Sequence, residues 1–291
     1  LFRSWLAKRT RAELIEYMSS ALAILKEAGF APTGMTQPVE FKGSYSDYAQ
    51  ATLESIQAIG GPEITFYFID YHYDPAPTPP PPVVLLDRQR REAVLSILTY
   101  SRDYFWPTQA PERREAAWTA DQFISIDGKS GRLVELAQHN DWLVFVCHWQ
   151  SLFSDGSRQG LAALDMICER LAQHYGPRLH WMTVSEIARY RAASESCKID
   201  STPDDPWSLT LDAVFDCPDF TLTLETPDLR QFQIERVEVE GPEGSVQILA
   251  KADGKNSLLP ENAWRPADDQ ITLCFHLHQG MQRIRVITRI D

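Results

Sequence analysis

The chain has 291 residues, of which 44% are hydrophobic and 23% are charged, and this is the composition of an ordinary globular protein. Its 28 lysine and arginine residues stand against 40 aspartate and glutamate residues, so the formal net charge is −12. Nucleic-acid phosphates and anionic lipids would repel this charge, and no apolar run in the sequence reaches the roughly 18 residues of a membrane span. The composition therefore argues against nucleic-acid-binding and membrane-spanning classes and favours a neutral or cationic ligand.

The cysteines and the first residues of the chain carry a little more information. The five cysteines are widely scattered and form no CxxC pair, which argues against a zinc ribbon and against a disulfide-dense scaffold. The sequence opens at Leu1 without a methionine or a signal-peptide pattern. We therefore expect the natural protein to begin further upstream.

Hydrophobic periodicity predicts alternating helices and strands over the first two thirds of the chain. Helices are predicted over 10–28, 46–59, 88–99, 131–139, 160–174 and 184–193. Strands are predicted over 64–69, 122–126, 142–147 and 180–183, and the proline-rich segment 74–82 predicts a surface excursion of polyproline II. Thr10 and Glu13 resemble a capping box at the start of the first helix. This alternation predicts a parallel sheet with covering helices, in a barrel or an open sheet.

The pattern changes after residue 193. Residues 194–206 are rich in serine, aspartate and proline without apolar periodicity, and they predict a linker. Beyond them, apolar residues recur with a period of two between turn signals, which predicts a small all-β domain of the sandwich type. The predicted organisation is thus an α/β domain over 1–193, a linker over 194–206 and an all-β domain over 207–291.

The candidate site lies at the ends of two predicted strands, because ligands of parallel α/β folds bind at the carboxyl ends of the strands. His148 follows the apolar residues 143–147, so its imidazole leaves the core at the strand end, where it can serve proton transfer. The segment 69–74 also ends in polar and aromatic residues. The alternative for His148 is a histidine that only bonds a loop carbonyl.

Several segments, in this order, resemble polysaccharide deacetylases over roughly residues 11–191. They are Leu25-Lys26-Glu27-Ala28-Gly29-Phe30, Gln37-Pro38, the helix ended by Gly60-Gly61, the strand end at 69–74, Val144-Phe145-Val146-Cys147-His148, Tyr175-Gly176 and 181–187. The resemblance implies a distorted (β/α) barrel whose first strands would lie upstream of Leu1. It implies removal of acetyl groups from N-acetylated sugars with a bound divalent metal.

The resemblance also implies roles for individual residues. His148 would be the general acid for the leaving amine, and Asp70 or Asp74 would orient it, with Asp127 as a weaker candidate. Gln37-Pro38 would contact substrate, although glutamine here replaces the arginine of the family's motif. Apart from the resemblance, Trp142, Trp149 and Trp181 lie near predicted strand ends, where they could stack against sugar rings, and core packing is the alternative for Trp142 and Trp181. Trp149 and Tyr71 are the aromatic candidates for substrate binding.

The metal is the main departure from the family, which holds it with an aspartate and two histidines four residues apart. No two of the seven histidines have this spacing. The main ligands of the expected zinc ion would therefore lie upstream of Leu1, with His72 as a ligand within the chain; a metal-free, divergent member is the other interpretation. His276 and His278 alternate with Cys274 on a predicted strand, so they face one side as a metal pair would, but the sequence shows no third ligand.

Three functions follow from these patterns. The first is a metal-dependent deacetylase of carbohydrate amides. The second is a catalytically silent module that binds saccharide, or that assembles with partners or with itself through the β domain. The third is an unrelated α/β hydrolase or lyase that pairs Asp70 or His72 with His148. The sequence contains no GxSxG, phosphate-loop or HExxH motif.

Overall fold

The computed structural model describes residues 2–36, 41–68, 72–109, 115–202, 205–225, 232–253, 257–267 and 269–290. In these residues the protein is mixed α/β, with eight α-helices, a four-stranded sheet and a curled eight-stranded sheet that forms half of a barrel. The helices are α1 (Phe2–Leu6), α2 (Arg11–Glu27), α3 (Tyr45–Ala58), α4 (Ala116–Phe123), α5 (Arg132–Gln138), α6 (Trp149–Phe153), α7 (Gln159–Tyr175) and α8 (Val184–Ser196). None of the helices among the described residues has the length and apolar character of a transmembrane segment.

The four-stranded sheet positions the candidate site. It contains β1 (Gly34–Thr36), β2 (Ile64–Phe68), β3 (Val83–Asp87) and β4 (Glu92–Ser96) in the order β1-β2-β4-β3. Strands β1, β2 and β4 are parallel, and β3 is antiparallel to β4. Helix α3 connects β1 to β2 and packs on the sheet, as expected for a parallel crossover.

The helices predicted over 10–28, 46–59, 131–139, 160–174 and 184–193 are confirmed as α2, α3, α5, α7 and α8, and the strand predicted over 64–69 is confirmed as β2. Local signals explain this success. Thr10 and Glu13 form the predicted capping box of α2, and Thr183 and Glu186 form a second one at α8.

Three predictions between residues 88 and 183 are wrong, and a fourth, the strand over 142–147, is an extended segment with a single β-bridge. Residues 88–99 form a turn and strand β4 rather than a helix, because Val94 and Leu95 are buried on both faces of the sheet and a continuous apolar run does not distinguish a strand from a helix. Residues 122–126 hold the end of α4 and a turn instead of a strand. Residues 180–183 are not a strand, and they end at Thr183, which caps α8.

The eight-stranded sheet follows α8 directly. Its strands are β5 (Lys198–Thr202), β6 (Asp205–Ala213), β7 (Cys217–Glu225), β8 (Phe232–Glu240), β9 (Val246–Lys251), β10 (Ala263–Ala267), β11 (Gln270–Leu277) and β12 (Gly280–Ile290), in the order β5-β6-β12-β8-β9-β10-β11-β7. The predicted strands are present, but they form one curled sheet rather than the two facing sheets of a sandwich. Residues 194–206, predicted as a linker, include the end of α8 and strand β5.

Helix α8 joins the two sheets through one apolar core. It packs against β2 and β4 of the four-stranded sheet and also against β7 of the curled sheet. Tyr190 of α8 contacts Trp142 and Phe220, with ring centroids 6.1 and 5.8 Å apart. The same buried cluster continues from Leu95 to Val286, so the two sheets share their hydrophobic burial.

Candidate active site

Three chain segments end side by side at one edge of the four-stranded sheet. Residues 97–101 extend β4, and the Tyr100 N–H donates to the Val144 carbonyl at 2.8 Å. Ser101 forms a parallel bridge with Phe145, so the segment 142–147 lies beside this extension, although a single bridge does not make it the predicted strand. His72 comes after the end of β2 and lies on the opposite side of this extension. Its backbone N–H donates to the Thr99 carbonyl at 2.8 Å. The carboxyl ends of these segments therefore meet where parallel sheets bind ligands.

His148 lies at this edge and pairs with Asp103. The ring Nδ1 lies 2.6 Å from Asp103 Oδ2, and the His148 backbone N–H donates to the same oxygen at 3.2 Å. The other carboxylate oxygen, Oδ1, accepts from the Phe105 N–H at 3.0 Å. The Asp103 side chain is 12% exposed and that of His148 is 57% exposed. A carboxylate that accepts a hydrogen bond from Nδ1 favours the neutral tautomer with its proton on Nδ1. The lone pair of Nε2 is then available to a ligand.

Sequence reasoning missed Asp103. The signal was present, because the polar residues Ser101-Arg102-Asp103 come after 93–98, a run that is apolar except for Ser96. The prediction of a helix over 88–99 hides this signal, because the carboxyl end of a helix, unlike that of a parallel strand, does not predict a ligand site.

The residues predicted to surround His148 fall in other places. Asp74 Oδ2 lies 3.7 Å from His72 Nε2, and the Asp74 side chain is 82% exposed. Asp127 accepts from Ser125 Oγ and the Lys129 N–H within a turn, and these hydrogen bonds lower its pKa. The structure therefore brings Asp103, rather than Asp74 or Asp127, to the histidine. Four predicted residues lie outside the described residues: Gln37, Pro38, Asp70 and Tyr71.

An open cleft of about 320 Å³ lies beside Asp103, lined in part by Tyr73, Tyr100, Arg102 and Arg132. Arg132 holds two chain segments of the cleft together. Its Nε donates to the Tyr100 carbonyl and its Nη2 to the Asp74 carbonyl, both at 2.7 Å. The guanidinium of Arg102 lies 5.6 Å from the centroid of the Tyr73 ring. The cleft thus offers a cation and an aromatic ring, and its lining includes the two chain neighbours of Asp103, Arg102 and Tyr104.

The proline-rich segment 74–82 forms part of this wall and is held by side chains. The Glu135 carboxylate accepts from the Ala76 N–H at 2.8 Å and pairs with Arg132 at 2.8 Å, and these two contacts, in that order, lower the pKa of Glu135. The Tyr100 hydroxyl donates to the Pro79 carbonyl at 2.7 Å. These bonds fix a segment that has few backbone donors of its own.

Exposed tryptophans flank the histidine. The Trp106 ring meets the His148 ring edge-on, with centroids 5.5 Å apart. Trp106 and Trp149 are 54% and 68% exposed. Thr108 Oγ1 donates to the Ser151 carbonyl at 2.8 Å, which ties the turn that carries Trp106 to helix α6, where His148 is the N-cap. Large exposed aromatic faces beside a polar pair suit a flat ligand with both apolar and polar edges.

Cys147 precedes His148, but the local environment argues against a cysteine nucleophile. Burial raises the pKa of the Cys147 thiol, and the negative charge of Asp103 raises it further. A thiol with a raised pKa carries little thiolate near neutral pH, and the thiolate is the nucleophile. His148 and Asp103 are therefore stronger candidates than Cys147 for reactive groups at this edge.

We expect all five cysteines to react slowly with iodoacetamide in the folded protein near neutral pH. All five are free thiols, and burial is the main cause that raises the pKa of each. Because the folded pKa exceeds the unfolded one, alkylation should speed up as the pH rises or when urea unfolds the chain. Mass spectrometry of alkylated peptides measures this. Fast labelling of Cys147 in the folded protein would reinstate it as a nucleophile.

The described residues at this edge do not complete a metal site. His72 and Asp74 provide two potential ligands, whereas a catalytic zinc ion takes about three protein ligands. Within the described ranges, the one group of three ligand side chains close enough to hold an ion is Asp216, His276 and His278, on the eight-stranded sheet.

Comparison of the chain with family models, with curated proteins and with solved structures finds no match.

Proposed function

We propose that this protein is a polysaccharide deacetylase-like hydrolase that removes acetyl groups from N-acetylated sugars. The observation that carries the proposal is the contact of 2.6 Å between His148 Nδ1 and Asp103 Oδ2 at the carboxyl ends of parallel strands. Parallel β1, β2 and β4 with covering helices are what the open part of a distorted (β/α) barrel would contain. The resemblance of the sequence to deacetylases points to the same chemistry.

The pair can move the proton that amide hydrolysis requires. With Nδ1–H held by Asp103, Nε2 accepts a proton from a water molecule as the water oxygen bonds to the acetyl carbonyl carbon. The imidazolium then donates that proton to the amide nitrogen as the carbon–nitrogen bond breaks. Acetate and a free amino sugar are the products. The partly buried Asp103 stabilises the imidazolium between the two steps.

The surroundings of His148 suit a carbohydrate. Trp106 and Trp149 present exposed ring faces on which a sugar ring can stack, as predicted for Trp149. Arg102 and Tyr73 supply polar groups in the adjacent cleft. The net charge of −12 favours a neutral substrate and a product amine that is cationic.

The resemblance to deacetylases also implies a divalent metal ion, for which His72 would be the ligand within the chain. Such an ion would act as a Lewis acid on water when bound. Because His72 and Asp74 are two ligands rather than about three, no proton transfer is assigned to the metal.

The test is acetate release from oligomers of N-acetylglucosamine. We expect acetate and free amine to appear in equal amounts, and a parallel reaction with chelator reports whether an ion takes part. Saturable binding of the oligomer without acetate release would contradict the hydrolase and favour a silent carbohydrate-binding module. Neither release nor binding would refute both.

A further inference from the structure

A second cluster of chemically capable side chains lies on the eight-stranded sheet. His276 belongs to β11, on the side opposite to the buried Phe275 and Leu277, and His278 follows the end of the strand. Asp216 precedes β7, which pairs antiparallel with β11. The pairing therefore brings a carboxylate to the two histidines from about 60 residues earlier in the chain.

The ligand atoms of these three residues lie within 4.8 Å of one another. Asp216 Oδ1 lies 3.9 Å from His276 Nε2 and 3.7 Å from His278 Nδ1. Tetrahedral zinc holds such atoms at about 2.0–2.2 Å, which sets them about 3.3–3.5 Å apart. The two distances from the carboxylate to the imidazoles exceed this by a few tenths of an ångström, while the two imidazole nitrogens lie within 4.8 Å of each other. The two rings are stacked, with centroids 4.1 Å and planes 11° apart, so they must also rotate to aim both lone pairs at one ion. Their 36% and 50% exposure leaves room for that rotation.

The backbone that carries these ligands is held in place. Gln282, which is 2% exposed, accepts from the His278 N–H at 2.8 Å, and its own amide donates to the His276 carbonyl at 3.5 Å. The Gln279 N–H donates to Asp216 Oδ1 at 3.0 Å, which fixes the carboxylate beside the turn. A buried polar side chain that bonds both histidine residues keeps their spacing constant while their rings move.

A carboxylate also stands behind His276. Glu261 Oε1 lies 4.0 Å from His276 Nδ1, while Nε2 faces Asp216. Metal-bound histidines commonly have a carboxylate on the ring nitrogen that does not bind the ion, because it fixes the tautomer and raises the basicity of the other nitrogen. Glu261 lies on that side of the ring, at 4.0 Å and not in a hydrogen bond.

We propose that Asp216, His276 and His278 bind one divalent transition-metal ion, with zinc preferred, and that water completes the coordination. Two imidazoles and one carboxylate select zinc-like ions over magnesium and calcium, which take mainly oxygen ligands. The ion would join the corner before β7 to the turn between β11 and β12. This site is separate from His148 and does not depend on the proposed hydrolase. Cys274, which the sequence placed on the same face, is 3% exposed and does not belong to this group of ligand atoms.

The test is calorimetric titration of the metal-free chain, without a histidine tag, with Zn²⁺. We expect one ion per chain and a thermal unfolding midpoint that rises with Zn²⁺ concentration, since binding to the folded state stabilises it. The variants H276A, H278A and D216N should each weaken binding by at least about tenfold, and E261Q by up to about tenfold. The matched control is H180A, which removes an exposed histidine elsewhere and should bind as the wild type does.

Two results would overturn the site. One is no saturable Zn²⁺ binding by the wild-type chain. The other is wild-type affinity in H276A, H278A or D216N, which would place any bound ion elsewhere. Circular dichroism of each variant confirms the fold, and the exposure of Asp216 and His278 and the partial exposure of His276 predict that it is retained.

Discussion

Replacement of Asp103 by asparagine is expected to lower the rate of acetate release by about 10²- to 10⁴-fold. Both carboxylate oxygens accept from backbone N–H groups, Oδ2 from His148 and Oδ1 from Phe105. An asparagine NH₂ group must replace one of these acceptors. If it replaces Oδ2, it donates to His148 Nδ1 and moves the ring proton to Nε2, which removes the base. If it replaces Oδ1, it faces the Phe105 N–H without an acceptor.

The rate is measured as turnover number at saturating oligomer. D121N is the matched control: Asp121 is also paired, with Arg170 at 2.8 Å, but lies on α4 with its side chain 52% exposed, and its loss should leave turnover unchanged. H148A should lose as much activity as D103N, and the double variant should lose little more, because two residues that act as a unit are not additive. Wild-type turnover in D103N would show that Asp103 does not orient the histidine.

Replacement of Gly160 by alanine is expected to lower the free energy of unfolding by about 1–3 kcal/mol. A Cβ atom at this position of α7 would lie 2.7 Å from Leu152 Cα and would also collide with the Ser151 carbonyl oxygen. Both are backbone atoms of α6, so no side-chain rotation relieves the contact. Because α6 begins directly after His148, its displacement should lower acetate release as well.

Urea denaturation followed by circular dichroism measures the stability change. G176A is the matched control, because the Cβ atom would have no neighbour within 4 Å and the backbone there is helical, with φ −41°. Alanine loses less entropy than glycine in a helix, whereas Pro177 disfavours a helical backbone for a preceding residue that has a Cβ atom. The two effects oppose each other, so the net change should stay within about 0.5–1 kcal/mol. Equal stability of G160A and the wild type would mean that α6 and α7 can separate without cost.

The sequence by itself determined the elements whose signals are local. The capping boxes at Thr10 and Thr183 and the spacing of apolar residues in α2, α7 and α8 lie within a few turns of chain, and helix hydrogen bonds join residues four apart. The period of two in the last third similarly predicted the strands. His148 was predicted at the site because a polar residue after an apolar run leaves the core.

Only the tertiary structure decided which distant residues meet. Asp103 reaches His148 across 45 residues because the extension of β4 and the segment 142–147 lie side by side. Asp216 reaches His276 because β7 pairs with β11. Packing likewise decided that 92–96 is a strand and that the last strands form a single curled sheet. Burial of apolar side chains stabilises a helix and a strand alike, so the apolar pattern does not distinguish them. Hydrophobic burial is non-directional, so a pattern of apolar residues shows that a segment is buried but not which segment lies beside it.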